Sequence, residues 1–469
     1  MSDALHDLGA AELGAAYASG ALSPVEVTQA VLDHIARWEP QLQATYLLRP
    51  EAAIEQARAS EARWRSGRPL GPLDGVPGTL KENIATRGDP LPAGSAAVQL
   101  VPAAADAPPA ARLKEAGMVV VSKTTMPDFG MLSSGLSSFH TLARNPWDTR
   151  LTPGGSSAGG AAAAAAGYGP LHVGTDIGGS LRLPAGWCGI FTLKPSLGRI
   201  PIDPPYMGRA AGPMTRRVAD AALMMQVLSR PDARDAMSLP ASDIGWSSFE
   251  VGPEHLRGLR IGLLLDAGCG LPVDPAIHAA VADAALLFER AGAIVRPMQP
   301  FLTRTMLNGM DHLWRMRSLT DMNALPKAQR DKVLPYIRDW ADSAAGFSGE
   351  HVFRAFSQFH ATRLATVAAC APFDYVLSPT APNMPAPAED PSPTNDPLRP
   401  LEHIAFTVPF NMSEQPAASI NCGYSADGGL PIGLQIAGKR FDDLGVLQVA
   451  RAFEQIRAPQ RDWPMPASD

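Results

Sequence analysis

A long stretch without charged residues, Leu151 to Val173, constrains the fold more than any other feature. It consists largely of Gly, Ala, Ser and Pro, and it is long enough to span a bilayer. Such small side chains contribute little transfer free energy, and Pro153 and the glycines interrupt a helix, so we expect a buried core segment. Within it, residues 158–166 are predicted to form a small-residue helix that packs closely against its neighbours.

Helix and strand patterns alternate through most of the chain, which is typical of an α/β fold with a mixed sheet. Apolar periodicity and capping signals predict helices over 10–19, 23–38, 50–65, 158–166, 215–228, 274–292, 304–320, 327–344, 350–371 and 442–457. Strands are predicted at 118–121, 171–174, 259–265, 293–297 and 375–378, with a hairpin of 417–422 and 431–437 around a turn at 425–429.

The chain has 469 residues, enough to bury a large core. We expect one domain over residues 1–469. Its parts are an N-terminal helical segment of about 1–66, a core of about 67–230 and 370–469, and a helix-rich inserted segment of about 231–369.

Charge and composition exclude several classes of function. The net charge is -6, so nucleic acid and anionic membrane surfaces are not expected as partners. The four cysteines are far apart and no HExxH or other ligand spacing occurs, so we expect reduced thiols, no metal and no cofactor. The N-terminus lacks the apolar region of a signal peptide, which favours a cytoplasmic protein. We expect a monomer or a homodimer.

Two Gly/Ser clusters, at 154–160 and 174–180, are the strongest local signals for a site. Glycine runs can turn successive N–H groups toward one point. A phosphate loop would need Gly-Lys-Ser/Thr, which neither cluster supplies. The N–H groups of Ile177, Gly178 and Gly179 could instead form an oxyanion hole. A tight strand-to-helix turn with no chemistry is the alternative, and for this motif alone it is the more common one.

A nucleophile needs a base, and the chain offers a lysine rather than a histidine. Residues 155–159 match G-x-S-x-G, but the preceding 145–149 do not read as the strand that a nucleophile elbow requires. The histidines lie outside both clusters. Lys81 follows the apolar stretch 75–80, and a lysine in such surroundings can lose its charge and act as a base. An ordinary surface lysine is the alternative.

Several long motifs resemble the amidase signature family, in the order found in that family. Residues 145–195 resemble its Gly/Ser-rich signature and 75–84 its lysine segment, while 122–130, 212–216 and 406–441 resemble further segments. The resemblance implies an α/β fold: a single large amidase-signature domain with a central mixed twisted sheet flanked by helices.

The resemblance also implies roles for individual residues. Ser180 would be the nucleophile, Ser156 a bridging serine on a cis peptide and Lys81 the base, with an acyl-Ser180 intermediate. Ile177, Gly178 and Gly179 would supply oxyanion-hole N–H groups. The supporting residues would be Ser157 and Thr152, with Asp176 and Arg182 as a buried structural ion pair. Ala158 stands where the family usually has glycine, and a positive φ there would strain it.

The implied activity is hydrolysis of a carbon–nitrogen bond in a small-molecule, amide-type substrate. An apolar pocket would favour an apolar amide, such as an aryl amide, or a carbamate or ester; the candidate lining residues are Met126, Met131, Leu132, Tyr206, Met207 and Trp314. One alternative is an amidotransferase component that releases ammonia from glutamine, although Leu183 and residues 201–208 depart from that subfamily. Another is a catalytically inactive binding protein, against which Lys81, Ser156 and Ser180 together argue.

Overall fold

A single mixed sheet organises the protein, whose computed structural model describes residues 2–427 and 429–466. Within those residues the sheet has eleven strands in the order β1-β3-β2-β4-β6-β5-β10-β11-β9-β7-β8. The strands are β1 (Thr45–Tyr46), β2 (Pro77–Lys81), β3 (Val119–Thr124), β4 (Leu171–Asp176), β5 (Phe191–Lys194), β6 (Ala210–Thr215), β7 (Arg260–Leu263), β8 (Ile294–Pro297), β9 (Tyr375–Pro379), β10 (Ala417–Tyr424) and β11 (Pro431–Ala437).

Helices flank this sheet, as the α/β prediction requires. They are α1 (Ala10–Ser19), α2 (Pro24–Leu42), α3 (Pro50–Arg65), α4 (Pro108–Glu115), α5 (Ala158–Ala166), α6 (Arg182–Cys188), α7 (Val218–Leu228), α8 (Pro275–Arg290), α9 (Arg304–Asn323), α10 (Lys327–Arg330), α11 (Pro335–Asp342), α12 (Gly349–Cys370), α13 (Val408–Met412) and α14 (Asp443–Ile456). Short 3₁₀ helices occur at Ser2–Asp7, Asp128–Gly130, Trp246–Phe249, Pro253–Leu256 and Glu402–Ile404. Among the helices of the described residues, none is both long and apolar enough to cross a membrane.

The pairing of β2 with its neighbours places the functional residues. β2 runs parallel to β3 and to β4, with Lys81 opposite Thr124 and Leu80 opposite Val173. The carboxyl ends of β2 and β4 therefore meet at one edge of the sheet, where open α/β sheets commonly bind their ligands. Lys81 ends β2 and Asp176 ends β4.

Helix α5 is the buried small-residue helix predicted from the sequence. Every residue from Ala158 to Ala166 is buried. A Cβ on Gly159 would lie 2.2 Å from the Ala44 carbonyl oxygen, so only glycine allows this approach. Ala158 is the first residue of the helix and has no positive φ, so alanine is unstrained at that position.

The segment 231–369 contains two strands of the sheet, β7 and β8, in addition to its helices. β7 and β8 are parallel neighbours joined through α8, which confirms the predicted β-α-β unit. The hairpin prediction is also confirmed, because β10 and β11 pair antiparallel. The predicted turn at 425–429 includes Gly428, which lies outside the described residues.

Two element predictions were wrong in detail. The expected helix 327–344 is two helices, α10 and α11, and Pro335 stands at the start of the second, where its missing N–H costs nothing. The expected helix 215–228 begins only at Val218. Thr215 instead ends β6, which pairs with both β4 and β5, so sheet pairing overrides the local helix pattern.

Candidate active site

Lys81 lies fully buried among hydroxyl groups at the carboxyl end of β2. Its Nζ is 2.8 Å from Ser156 Oγ, 3.1 Å from Ser157 Oγ and 3.1 Å from Thr175 Oγ1. Within the described residues it forms no salt bridge. A buried ammonium without a carboxylate partner is poorly stabilised, whereas a neutral amine can both donate to and accept from hydroxyls.

Burial is the main reason why the pKa of Lys81 falls from 10.5 to about 7. Repulsion from the Arg209 guanidinium lowers the pKa further, while the Asp176 and Glu82 carboxylates act in the opposite direction. A lysine in this position holds a substantial neutral fraction at physiological pH. It can therefore accept a proton from a neighbouring hydroxyl.

Ser156 lies between Lys81 and the cavity. The Gly155–Ser156 peptide bond is cis, as the family resemblance implies. A Cβ on Gly155 would lie 2.6 Å from the Ser134 backbone nitrogen, so the chain needs glycine to pass here. Thr152 Oγ1 accepts a hydrogen bond from the Gly154 N–H at 3.1 Å and so holds the start of this turn.

Ser157 connects the two Gly/Ser clusters. Its N–H donates to the Ser180 carbonyl oxygen at 3.2 Å, and its hydroxyl donates to the Thr175 carbonyl oxygen at 3.2 Å. The same hydroxyl also contacts Lys81 Nζ. The two clusters are therefore held together around the lysine.

Ser180 follows a turn that only glycine can make. Gly179 has a φ of 129°, and a Cβ there would lie 2.5 Å from Thr407 Oγ1. Ser180 borders two adjoining cavities, one of which is also bordered by Ser156. Within the part of the chain that the structure describes, the Ser180 hydroxyl has no hydrogen-bond partner.

Asp176 and Arg182 form a fully buried ion pair below this turn. Arg182 Nη2 lies 2.9 Å from Asp176 Oδ1, and Arg182 Nε lies 3.0 Å from Oδ2. Asn411 Nδ2 donates to Asp176 Oδ1 at 2.9 Å, and Arg182 Nη1 donates to Gln435 Oε1 at 2.8 Å. Burial alone would raise the pKa of Asp176, but attraction to Arg182 and the hydrogen bonds from Arg182 and Asn411 hold that pKa well below its usual range.

The same carboxylate accepts hydrogen bonds from backbone N–H groups of the turn that contains Ser180. Asp176 Oδ1 accepts from the Gly179 N–H at 2.8 Å, and Oδ2 accepts from the Leu181 N–H at 3.1 Å. Gly179 was expected to donate to an oxyanion, but its N–H is already used by Asp176. The N–H groups of Ile177 and Gly178 have no acceptor among the described residues, and both residues line the adjoining cavity.

The cavity at Ser180 has an apolar part and a polar part. The apolar part, about 40 Å³, is lined by Gly130, Met131, Leu132, Ser133, Ile177, Gly178, Ser180, Leu183, Trp314, Arg317, Leu401 and Ile404. The polar part, about 110 Å³, is lined by Asn83, Phe129, Gly130, Met131, Ser156, Thr175, Asp176, Ile177, Ser180, Tyr206, Arg209 and Arg317. The two parts share a wall that includes Ser180.

Four of the six pocket candidates line this cavity, namely Met131, Leu132, Tyr206 and Trp314. The structure places the other two elsewhere. Met126 is buried, and its Cε would lie 3.2 Å from a Cβ on Gly130. Met207 is 38% exposed and borders a separate cavity with Phe353 and Phe356.

Sequence reasoning missed four polar residues of the site: Asn83, Thr175, Arg209 and Arg317. Arg317 follows Trp314 by three residues on α9, so the two share a helix face, and this spacing could have revealed it. Thr175 lies inside the second Gly/Ser cluster, and its hydroxyl accepts from Asn83 Nδ2 at 3.1 Å. No local pattern singles out Arg209.

Two serines and a glycine turn border one cavity, and a buried lysine contacts one of the serines, an arrangement that fits a serine hydrolase without a catalytic histidine. The Amidase family matches residues 26–447, and the chain therefore belongs to the amidase signature hydrolases. This confirms both the resemblance and the predicted fold class.

Relatives of two kinds are similar over nearly the whole chain. A glutamyl-tRNA(Gln) amidotransferase component from Myxococcus xanthus is 36% identical, over 96% of this chain and 97% of the relative. An acylamidase from Rhodococcus erythropolis is 32% identical, over 97% of this chain and 96% of the relative. The crystal structure of a bacterial aryl acylamidase of the amidase signature family superposes with a TM-score of 0.88 at 30% identity, covering 96% of each chain.

Proposed function

We propose that this protein hydrolyses the carbon–nitrogen bond of a small amide through an acyl-Ser180 intermediate, with Lys81 as the base and Ser156 as the proton relay. The observation that carries the proposal is the 2.8 Å hydrogen bond between Lys81 Nζ and Ser156 Oγ, made by a lysine whose pKa lies at about 7. A lysine with that pKa can accept and return a proton within one turnover.

In the acylation step, neutral Lys81 accepts the proton of Ser156 while Ser156 accepts the proton of Ser180. The Ser180 oxygen attacks the carbonyl carbon, and the carbonyl oxygen becomes an oxyanion that accepts from the N–H groups of Ile177 and Gly178. One such donor is typically worth about 3 kcal/mol to the transition state. The Ser180 hydroxyl has no hydrogen-bond partner among the described residues, so this transfer requires its side chain to turn toward Ser156.

When the tetrahedral intermediate collapses, the carbon–nitrogen bond breaks and Ser156 protonates the leaving nitrogen. The Lys81 ammonium returns its proton to Ser156, which restores the protonation of both relay residues while Ser180 remains acylated. Protonation of the nitrogen is the demanding part of amide cleavage, since an amide anion is a very poor leaving group. Water then attacks the acyl-enzyme through the same relay and releases the acid.

The lining of the apolar part of the cavity favours a substrate that carries an aryl or alkyl group. Leu132, Leu183 and Trp314 line it beside Ser180. The relatives named acylamidase and aryl acylamidase accord with this substrate class. Carbamates and esters pass through the same type of tetrahedral intermediate, and we include them as candidate substrates.

A second candidate is the amidotransferase role, which the Myxococcus relative favours by its name. In that role the chain would release ammonia from glutamine within a complex. The apolar lining next to Ser180, including Leu183, argues for the first candidate, because glutamine offers only two methylene groups to contact it.

A substrate panel tests the proposed function. The purified chain is assayed with 4-nitroacetanilide, an aliphatic amide, an aryl carbamate, an aryl ester and free glutamine, with Ser180→Ala as the control. We expect hydrolysis of the anilide and its loss in Ser180→Ala. Ammonia release from glutamine only would favour the amidotransferase role, and equal rates in both proteins would favour an inactive binding protein.

A further inference from the structure

Two arginines line the polar part of the active-site cavity and lack a carboxylate partner. Arg209 and Arg317 border the same 110 Å³ space as Ser156 and Ser180. Among the described residues neither of them forms a salt bridge. The buried Arg182 nearby shows the usual solution, since Asp176 neutralises it. Two uncompensated guanidinium groups beside a reactive serine need an explanation.

Both arginines are held in place by Tyr206. The Arg317 guanidinium stacks over the Tyr206 ring, with its Cζ 5.0 Å from the ring centre, and its Nη2 lies 3.2 Å from Met131 Sδ. Arg209 directly precedes β6, and its backbone N–H donates to the Tyr206 carbonyl oxygen at 3.0 Å. The Nε atom of Arg209 is buried and has no hydrogen-bond partner among the described residues. The site therefore presents unused donors on a fixed frame.

The electrostatics of the site favour an incoming anion. Burial and the like charge of Arg317 both lower the pKa of Arg209, while Asp203 and Asp235 act in the opposite direction without forming a salt bridge. An anion between the two guanidiniums would relieve their repulsion and accept the unused donors. Planar guanidiniums bind carboxylates with well-defined geometry, which makes a carboxylate the fitting ligand.

We propose that Arg209 and Arg317 form a carboxylate-binding subsite, so that the preferred substrate is an amide with an apolar group on one side of the scissile bond and a carboxylate on the other. This inference rests on the proposed function and specifies its substrate class. It assigns the apolar group to the part of the cavity lined by Trp314 and the carboxylate to the part lined by Arg209. Both residues are substrate-binding rather than relay residues.

Carboxylate binding should also change the titration of Lys81. Arg209 repels the Lys81 ammonium, whereas Asp176 and Glu82 attract it. A bound carboxylate offsets the charge of Arg209, so the pKa of Lys81 rises in the enzyme–substrate complex. The inflection in the kcat profile, which reports that complex, should lie above the inflection in kcat/KM, which reports the free enzyme.

Matched substrate pairs test the subsite. For the acyl side, N-succinyl-4-nitroaniline is compared with its methyl ester, and for the amine side, 4-acetamidobenzoate is compared with its methyl ester. Release of the aromatic amine is measured at pH 9, above the Lys81 inflection, for wild type, Arg209→Met and Arg317→Met. Arg58→Met is the matched control, because Arg58 lines an unrelated surface cavity.

We expect the anionic member of one pair to have a kcat/KM about ten-fold above its ester, as a charge-assisted hydrogen bond of modest strength would give. Either site variant should lower kcat/KM for the anionic member more than for its methyl ester, so that the preference disappears, whereas Arg58→Met should preserve it. Equal rates within both pairs, or equal losses for both members in the variants, would overturn the subsite.

A binding measurement separates this inference from the proposed reaction. Calorimetry with succinate and benzoate on the Ser180→Ala protein reports the subsite without turnover. Binding that Arg209→Met abolishes and Arg58→Met retains supports the subsite even if no anilide is hydrolysed. Absence of binding by both carboxylates, together with hydrolysis of neutral anilides, would refute the subsite and leave the proposed function intact.

Discussion

Substitution of Lys81 by methionine should remove both the activity and a specific pH dependence of stability. Burial holds the pKa of Lys81 at about 7 instead of 10.5. That difference corresponds to about 5 kcal/mol by which the fold disfavours the ammonium. Methionine has a similar length and no titratable group, so the pH-dependent part of the difference reports the titration of Lys81.

The kinetic consequence follows from the fraction of neutral lysine. With a pKa of about 7, that fraction is about one tenth at pH 6, one half at pH 7 and nine tenths at pH 8. The kcat/KM for a non-ionising anilide should therefore rise roughly ten-fold from pH 6 to pH 8 and level off above it. A lysine of ordinary pKa would instead give a rate that still climbs at pH 9.

The stability consequence has a definite sign. The unfolded chain binds a proton on Lys81 up to about pH 10.5, whereas the folded chain releases it above about pH 7, so the free energy of unfolding rises with pH between these values. From pH 7 to pH 9, the free energy of unfolding of the wild type should rise by about 2 kcal/mol relative to that of Lys81→Met. Below pH 7 the two proteins should differ by a constant amount.

Two quantities are measured from pH 6 to pH 9: kcat/KM for anilide hydrolysis, and the free energy of unfolding in urea. Lys194→Met is the matched control, because Lys194 is equally buried and has a pKa of about 7, but its ammonium donates to the Pro195 carbonyl rather than to a serine. The control should keep the kinetic inflection. A flat kcat/KM profile for wild type, or an inflection lost in Lys194→Met, would refute the assignment of the base.

Three further substitutions test the remaining parts of the site. Ser156→Ala should lower kcat/KM for an anilide about 10²- to 10⁴-fold and for an aryl ester less, since an ester leaving group needs no proton; an equal loss for both would contradict the relay. Gly179→Ala should cost roughly 1–3 kcal/mol or more in urea unfolding, because of its φ of 129° and the clash with Thr407; Gly20→Ala, with φ 71° and open space, should cost about 1 kcal/mol. Arg182→Met should cost about 3–5 kcal/mol by leaving the Asp176 carboxylate buried and unpaired, and a loss below 1 kcal/mol would show that the pair is dispensable.

The sequence predicts the fold well where local patterns and tertiary packing agree. The buried alanine helix, the β-α-β unit and the C-terminal hairpin all have patterns that match their environment. Strand β2 does not, because Pro77 and Gly78 are residues that usually interrupt strands. In the structure a Cβ on Gly78 would lie 2.2 Å from the Leu171 carbonyl oxygen, so close packing selects glycine there.

The sequence likewise predicts those parts of the candidate site that lie in local motifs, but not those that depend on the tertiary fold. Lys81, Ser156 and Ser180 lie in contiguous motifs; the structure brings both serines to one cavity and places Lys81 in hydrogen-bond contact with Ser156. The engagement of the Gly179 N–H by Asp176 depends on the exact path of the turn, which spacing does not specify. Arg209 and Arg317 come from segments 108 residues apart that only the tertiary fold brings together, so no local motif could reveal them as a pair.

Covalent labelling tests the central claim, that Ser180 is the nucleophile activated through Ser156 and Lys81. The protein is treated with a fluorophosphonate at pH 8 and the modified peptide is identified by mass spectrometry, in parallel with Ser180→Ala and Lys81→Met. We expect a single adduct on Ser180, no adduct in Ser180→Ala and a strongly reduced labelling rate in Lys81→Met. An adduct on Ser156 in the wild-type protein, or anilide hydrolysis that survives in Ser180→Ala, would contradict the account.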